Sequence, residues 1–304
     1  MRRRRPAARQ VPEPVVRNPR RSGEVPEVSA PPRARSPRKE TTIPVIAVYA
    51  PRDRVRALVR TAFPRRQARL VVTKTAPEFS AVFHQELIDA AIVDLGTPSE
   101  DLWGAVALAR EFPSAPFFGV SPLRSADTPV LARAIGLDLA GLIVEGVDDN
   151  LLRPMVLHNT FRARLARALH EPPPVLALTT PLQLSTWVCV VAHGGLPVRT
   201  DTVARFVGVT REHLSRAFAT AKAPNLKRVI DLVRLVAAAE LAKNPGYDLR
   251  DVAGVLGFAS PSHLSSTTQR IVGLRPPSLA RLRAVDLIGR FVVGRGRSRA
   301  ARGS

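Results

Sequence analysis

The sequence predicts an α/β domain followed by an all-helical domain, with basic tails at both ends that we expect to be disordered. Three observations lead to this prediction. Between residues 43 and 170, short apolar runs rich in β-branched residues alternate with amphipathic segments, a pattern typical of parallel strands covered by helices. From residue 182 to about residue 285, only helical patterns remain. Both ends of the chain are rich in arginine.

Charge is distributed unevenly along the 304 residues, whose formal net charge is +21. Residues 1–40 carry +8, residues 41–169 only +2, and residues 170–304 carry +11. An excess of this size favours a polyanionic partner, nucleic acid first and an anionic membrane surface second. The single cysteine, Cys189, excludes an internal disulfide, and one cysteine with six scattered histidines argues against a zinc finger. We therefore expect no metal and no cofactor, and we expect Cys189 to be a buried small hydrophobe.

The N-terminal segment, residues 1–42, has eight prolines, clustered arginines and no aromatic side chain within its first 40 residues. Such a segment cannot bury enough apolar surface to offset the entropy lost on ordering, so we expect disorder. It either adds non-specific phosphate contacts or is a solvated extension without a partner. At the other end, residues 286–304 hold five arginines among glycines and serines, and we expect a flexible basic tail there too.

The α/β pattern consists of five strands and five helices in alternation. The first strand, at 43–49, is a buried run of β-branched residues, and the helix at 53–63 places Val55, Val59 and Phe63 on one face. The remaining strands are expected at 70–73, 90–95, 115–120 and 141–144, and the remaining helices at 76–86, 101–112, 129–135 and 148–169. In a parallel sheet covered on both faces, sites lie beyond the carboxyl ends of the strands.

Residues 43–170 resemble a response-regulator receiver domain, a flavodoxin-like (βα)5 fold, in their order of elements and in Asp94 at the end of the third strand. In that family the acid at this position accepts a phosphoryl group, an acidic pair after strand one holds magnesium, and a lysine follows strand five. Here residues 49–51 read Tyr-Ala-Pro and residues 144–146 read Val-Glu-Gly, although Ser121 matches the family's hydroxyl position. Without metal ligands, little would neutralise the charge of a phosphoryl transfer. We therefore predict a pseudo-receiver with an inactive Asp94, which is either a folding and dimerisation platform or a sensor of another signal.

A proline-rich linker is expected at residues 171–181, because three consecutive prolines from Pro172 close the preceding helix. Residues 172–198 contain no Asp, Glu, Lys or Arg, and that length would suffice for a membrane span. Polar residues and a proline interrupt the run, so a buried helix at 182–192 is the better interpretation, and we expect no membrane contact.

An internal repeat within residues 182–285 is the most informative feature of the sequence. VARFVGV at 203–209 recurs as VAGVLGF at 252–258, and His-Leu-Ser at 213–215 recurs at 263–265. Each copy predicts two helices joined by a glycine turn, and one long helix is expected between the copies. A unit of this kind lays its second helix into the major groove. Two units on a stiff connecting helix can therefore read successive segments of one duplex without a symmetric dimer.

The order and spacing of these motifs resemble the AraC/XylS family of bacterial transcription activators over about 100 residues. The matching stretches are VARFVGVTREHLSRAF from 203, Arg234-Leu235 with Ala238, DVAGVLGFASPSHLS from 251, and Gly273-Leu274-Arg275-Pro276. The resemblance implies that the outward faces of the second helices contact DNA. In the first copy these residues are Arg211, Glu212, Ser215 and Arg216, and in the second copy Pro261, Ser262, Ser265, Ser266 and Gln269.

The two copies differ in how well they match that family. In the first copy, Leu214 and Phe218 should pack inward, and Arg216 is the strongest candidate for contact with a guanine edge or a phosphate. In the second copy, Ser266 stands where an arginine is common and Thr268 where a core phenylalanine is usual. Its outward face is nearly chargeless, so we expect it to bind DNA weakly or through hydroxyl–phosphate contacts.

Together these features predict a cytoplasmic, nucleoid-associated transcriptional regulator that binds double-stranded DNA sequence-specifically. RNA polymerase is a candidate partner, as is a second copy of the chain bound through the receiver-like domain. No enzyme is expected, because no Ser/His/Asp order, phosphate-cradling glycine loop or metal-ligand spacing is present. The alternative is a non-specific nucleoid-associated or RNA-binding protein that uses its arginine-rich ends.

Overall fold

The computed structural model of this chain describes residues 43–124, 128–219 and 223–300, with side chains described up to residue 293. The tail predicted at residues 1–42 and the last residues of the basic C-terminal segment lie outside the described residues.

Five parallel strands form one sheet in the order β2-β1-β3-β4-β5. Their bounds are β1 Val45–Tyr49, β2 Arg69–Thr73, β3 Ala90–Asp94, β4 Phe117–Ser121 and β5 Gly141–Val144. In the register, Val48 of β1 lies between Val72 of β2 and Ile92 of β3. Strands β1, β3 and β4 are buried along their whole length, as strands with helices on both faces must be. This strand order confirms the predicted flavodoxin-like (βα)5 fold.

Helices cover both faces of the sheet. They are α1 Asp53–Ala62, α2 Ala76–Gln85, α3 Glu100–Glu111, α4 Thr128–Ile135 and α5 Asp149–Asn159. On one face, Val55 and Val59 of α1 join a core with α5, as the sequence predicts. On the other face the core is aromatic, and Phe83 of α2 stacks on Phe112 and Phe117 with ring centroids 4.5 and 5.6 Å away.

The single helix predicted over residues 148–169 is wrong, because the chain breaks at Thr160. Helix α5 ends at Asn159 and a separate helix, α6, spans Phe161–Ala168. The Thr160 hydroxyl accepts the N–H of Ala163 at 3.3 Å, so this residue begins a new helix instead of continuing the old one. Leu165 and Leu169 then pack in the core of the helical domain, which shows that α6 belongs to that core by its contacts.

A buried carboxylate, Asp89, fastens the sheet to α6. Its oxygens accept the backbone N–H of Val45 at 2.9 Å and of Arg162 at 3.3 Å, and the Arg162 Nε lies 3.2 Å away. Burial raises the pKa of the Asp89 carboxyl, while Arg162 and the two N–H groups oppose that rise. The start of β1 and the start of α6 are thus held by one side chain.

The rest of the described chain is helical, which confirms the predicted fold class of the second domain. Its helices are α7 Pro181–Ala192, α8 Thr200–Phe206, α9 Arg211–Ala217, α10 Leu226–Leu241, α11 Leu249–Val255, α12 Pro261–Val272 and α13 Ala284–Ala300, with 3₁₀ turns at Pro174–Leu176 and Pro276–Arg281. Helix α10 is the centre of this domain, since 13 of its 16 residues are buried.

Helix α7 shows how the apolar run after the prolines is used. Trp187 is buried and donates its indole N–H to the Leu169 carbonyl at 2.8 Å. Cys189 is fully buried, and burial raises the pKa of its thiol to about 12, so it packs as a neutral small hydrophobe as expected. Across the described ranges, none of the helices has both the length and the apolar character needed to cross a bilayer.

The C-terminal segment differs from the sequence-based expectation. A flexible tail was expected from residue 286, but residues 286–293 lie within α13, so that expectation is wrong for them. Leu287, Ile288 and Phe291 are buried in the helical core, and the Arg228 guanidinium lies 5.0 Å from the centre of the Phe291 ring. The arginine and glycine content of this segment hid an apolar helical face.

We expect Asp89→Ala to lower the free energy of unfolding by about 3–5 kcal/mol, because it leaves the buried Arg162 charge without its carboxylate. Chemical denaturation of the full chain measures this. The matched control is Glu171→Ala, which removes an exposed carboxylate and should change the free energy by less than about 0.5 kcal/mol. Equal stability of the two variants would contradict the anchoring role of Asp89.

Phe291→Ala tests whether α13 is part of the core. Truncating a fully buried phenylalanine should cost about 3–5 kcal/mol of unfolding free energy, as measured by thermal or urea denaturation. Val293→Ala, at a side chain that is 63% exposed on the same helix, should cost far less. A free tail would make both substitutions neutral.

Candidate nucleic-acid interface

The first helix-turn-helix unit consists of α8 and α9. The chain turns at Gly208, whose φ of 75° favours glycine, and the Thr210 hydroxyl then accepts the N–H of His213 at 3.2 Å to begin α9. Leu214 and Phe218 point inward and are buried, as predicted. At the other end of α9, the buried Gln183 amide of α7 donates to the Ala217 carbonyl at 2.8 Å. Both ends of α9 are therefore fixed.

The outward face of α9 carries the four residues that the sequence singles out. Arg211, Glu212, Ser215 and Arg216 are all exposed. The Arg211 Nε lies 3.5 Å from the Asp201 carboxylate of α8, an exposed pair that costs little to separate. Within the described part of the chain, Arg216 makes no ion pair and no side-chain hydrogen bond. Its guanidinium is available to an external acceptor.

The second unit, α11 and α12, is built by the same local rules. Asp248 and Asp251 form a reciprocal capping box at the start of α11, and Gly257 turns the chain with a φ of 61°. The Ser260 hydroxyl accepts the N–H of His263 at 3.1 Å, and Pro261 occupies the first position of α12. Each of these features follows from the residues at the corresponding sequence positions.

The outward face of α12 is polar but without net charge. Ser262, Ser266 and Gln269 are exposed, whereas Pro261 and Ser265 are half-buried. The Ser265 hydroxyl donates to the Pro261 carbonyl at 2.9 Å, and the Ser266 hydroxyl donates to the His263 carbonyl at 3.1 Å. Both hydroxyls therefore present their oxygen lone pairs rather than their protons to a partner.

Two further side chains of α12 make contacts that the sequence did not reveal. Thr268 is fully buried, and its hydroxyl donates to the Leu264 carbonyl at 2.8 Å, so a satisfied threonine fills the core position. Arg270 supplies a cation on the same helix, which sequence reasoning missed, but its guanidinium lies 2.9 Å from the Asp231 carboxylate of α10. This arginine ties α12 to the connecting helix.

The most important residue that sequence reasoning did not assign a role is Arg234 of α10. Its buried guanidinium donates to the carbonyls of Gly195 at 3.3 Å, Leu256 at 3.1 Å and Gly257 at 3.3 Å. It also lies 3.8 Å from the centre of the Phe258 ring. Burial lowers the pKa of Arg234, although Asp231 opposes this. One side chain thus joins the loop before the first unit to the turn of the second.

Basic side chains surround the first unit more than the sequence motifs alone indicate. A cleft of about 340 Å³ beside α8 and α9 is lined by Arg199, Arg211 and Lys227, with Asp201 among them. Arg199 and Lys227 are exposed and lie outside the repeated motifs, so motif matching could not find them. The feature that the two residues share is their place in the fold, since each lies at or next to the first residue of a helix.

Asp94 ends β3 and is fully buried, at the sheet edge where a receiver-like site is expected. Arg52 binds it through Nε at 2.8 Å and Nη2 at 2.6 Å, and the backbone N–H of Gly96 donates to it at 3.0 Å. The Arg52 Nη1 also lies 3.0 Å from Glu145, which in turn lies 2.5 Å from the Nε of Arg54. The carboxylate is therefore enclosed by protein groups.

The cation beside Asp94 is supplied by the chain itself. Burial disfavours the charge of Arg52, but the hydrogen bonds and charges of Asp94 and Glu145 outweigh it and raise the pKa of this guanidinium. A Cβ at Gly96 would overlap the Arg52 guanidinium, so a larger residue here would displace that side chain from its present position. The sequence reveals the missing acidic pair, but it does not show that Arg52 fills the space. Ser121 is fully buried and its hydroxyl accepts the N–H of Leu123 at 3.2 Å.

Residues 203–281 match a family model described as a helix-turn-helix domain, which begins within α8 and covers α9, α10 and the second unit. No curated protein matches the chain significantly. Among solved structures, the chain is similar to a response regulator from Thermotoga maritima, with 18% identity over 38% of this chain and 96% of that chain and a TM-score of 0.33.

Two further solved structures are similar at the same level. A response regulator from Burkholderia pseudomallei, with a phosphorylated aspartic acid, calcium ion and citrate, has 15% identity over 58% of this chain and 99% of that chain, with a TM-score of 0.33. Full-length FixJ from B. japonicum has 13% identity over 72% of this chain and 100% of that chain, with a TM-score of 0.35. The receiver-like architecture of this chain is defined by its own strand order.

The repeated units, their caps and the family match converge on one assignment. Residues 203–281 form a helix-turn-helix domain of the AraC type, which follows a receiver-like α/β domain and supports a role in DNA-binding transcriptional regulation.

Proposed function

We propose that the protein is a sequence-specific regulator that reads two adjacent major-groove segments of duplex DNA, one with each helix-turn-helix unit. The observation that carries this proposal is Arg234 of α10, which binds the carbonyl of Gly195 before the first unit and that of Leu256 in the second, and so limits the separation of the units. Units at a fixed separation match groove segments about one helical turn apart. Free units on a mobile tether would lack this selectivity.

In this proposal the second helices of the two units, α9 and α12, are the reading helices, and they contribute unequally to DNA binding. In the first unit, Arg216 contacts a guanine edge or a phosphate, Arg211 a phosphate, and Glu212 and Ser215 the neighbouring base edges. In the second unit the contacts come from hydroxyl and amide groups around a half-buried proline, namely Pro261, Ser262, Ser265, Ser266 and Gln269. The first unit supplies most of the electrostatic affinity and the second adds shape and polar contacts.

We also propose partners and a place of action. A regulator that binds duplex DNA would act in the cytoplasm at the nucleoid, with RNA polymerase as its target. A homodimer through the receiver-like domain is supported by Leu123, Val147 and Leu151, which are 52%, 72% and 51% exposed and follow the neighbouring parallel strands β4 and β5.

The net charge of +21 favours one other candidate function, a non-specific nucleoid-associated or RNA-binding protein. Titration of promoter fragments against random duplexes separates the two. A regulator should prefer one fragment by about a thousandfold or more. Equal affinity for all duplexes would favour the non-specific protein and overturn the proposed function.

Arg216→Ala should weaken binding to the preferred fragment by about 1–3 kcal/mol, because the variant loses a charge-assisted contact that no described residue of the chain competes for. Fluorescence anisotropy at fixed salt measures the change. Arg60→Ala is the matched control, since it removes an exposed arginine from α1 of the receiver-like domain. If both variants lost the same affinity, Arg216 would contribute to binding only through the net charge of the protein.

We propose that Asp94 is not a phospho-acceptor, because Arg52 already occupies its oxygens. Incubation of the full chain with a small-molecule phosphodonor and magnesium should therefore give no covalent phosphate by intact mass spectrometry. A stable gain of one phosphate in the parent, lost in Asp94→Ala, would contradict the proposal.

A further inference from the structure

The turn between α10 and α11, residues 244–247, is bound by the receiver-like domain. Asn244 is almost fully buried, and its side chain makes two hydrogen bonds to Ser114, which follows α3. The Asn244 Oδ1 accepts the Ser114 N–H at 2.9 Å, and the Nδ2 donates to the Ser114 hydroxyl at 2.7 Å. Both atoms of this amide are thus committed to one residue 130 positions earlier in the chain.

The next residues of the turn extend this contact. The backbone N–H of Gly246 donates to the Glu111 carbonyl at 3.0 Å, and a Cβ at Gly246 would lie only 2.6 Å from the Phe112 ring. The ring of Tyr247 packs on Phe112 at 4.9 Å between centroids, and its hydroxyl donates to the Phe83 carbonyl at 2.9 Å. Burial, with a smaller contribution from Asp251, raises the pKa of Tyr247, so the hydroxyl stays a donor.

The contact also reaches the second unit directly. His84 of α2 lies 3.1 Å from the Asp251 carboxylate, and Asp251 is part of the capping box that begins α11. Tyr247 packs against both the aromatic core of the receiver-like domain and the core of the helical domain. The receiver-like domain therefore contacts the start of α11, the first helix of the second unit.

The two units are held to the receiver-like domain in different ways. The first unit follows α7, which packs against α6 in one continuous core. The second unit leaves α10 through residues 242–248, whose conformation sets the direction in which α11 starts. The contacts of Asn244, Gly246 and Tyr247 with the receiver-like domain stabilise that conformation.

We propose that Asn244 and Tyr247 are positioning residues that set the orientation of the second reading helix, and with it the base-pair spacing that the protein accepts between its two DNA segments. This proposal rests on the proposed function. It makes the α2–α3 edge of the receiver-like domain, around Phe83, Phe112 and Ser114, a determinant of how the protein reads DNA.

The test begins with the preferred site of the full chain, selected from a random duplex pool. Affinity is then measured for versions of that site with one base pair added or removed between the two contacted segments. The parent should lose about tenfold in affinity on either change, since one segment falls out of phase. Tyr247→Ala should lose affinity at the parent spacing and vary by less than about threefold across the series.

Graded variants separate positioning from general stability. Tyr247→Phe keeps the ring and loses one hydrogen bond, so its spacing preference should lie between those of the parent and Tyr247→Ala. His84→Ala should shift in the same direction, whereas Gln85→Ala, an exposed neighbour on α2, should match the parent. Circular dichroism establishes that each variant is folded. If Tyr247→Ala does not fold, Asn244→Ala with His84→Ala replaces it.

The outcomes are distinct. Folded variants that keep the parent's spacing preference would overturn the positioning role and leave the proposed function intact. A selection that yields no preferred site would overturn the proposed function, and this inference with it.

Discussion

A buried guanidinium on the connecting helix is the constraint on which the DNA-binding half of the molecule depends. Arg234 has three carbonyl partners and one aromatic ring, drawn from the loop before the first unit and from the turn of the second. A buried cation needs this many acceptors, because removing a charge from water is costly unless its donors are satisfied. That requirement fixes where both neighbouring segments can lie. Arg234 thereby limits the distance between the two units, while the turn at residues 244–247 sets the direction in which the second unit starts.

In the receiver-like half the charges are reversed, because there a buried carboxylate, Asp94, is bound by a cation, Arg52. Where a receiver of the family that it resembles would have acids after strand one and a lysine after strand five, this chain has Arg52 and Arg54 against Glu145. Arg52 links the carboxylates of Asp94 and Glu145 in one ion cluster. The α2–α3 edge of this domain contacts the turn at residues 244–247.

Much of this arrangement could be predicted from the sequence, because its signals are local. Short apolar runs locate the strands and period-3.6 patterns the helices, and the caps at Thr210, Asp248 and Ser260 follow from residue type and spacing. The burial of Leu214 and Phe218 follows from their separation by one helical turn. The repeat itself predicts which residues of α9 face outward.

What could not be predicted depends on contacts between distant residues. Asp89 accepts the N–H of Arg162 only because the fold brings it to the start of α6, and Arg52 reaches Asp94 only once β1 and β3 are neighbours. Composition misled at α13, since arginines and glycines conceal the face that Leu287 and Phe291 present to the core. The content of charged and turn-forming residues indicates the average solvent exposure of a segment. It does not show which individual side chains of that segment are buried.

We propose that α9 and α12 meet one face of the duplex at a fixed separation, and hydroxyl-radical footprinting of the full chain on its preferred site measures this. Two protected patches about one helical turn apart are expected, the stronger one over the segment bound by α9. A single patch, or protection without a fixed phase, would contradict it.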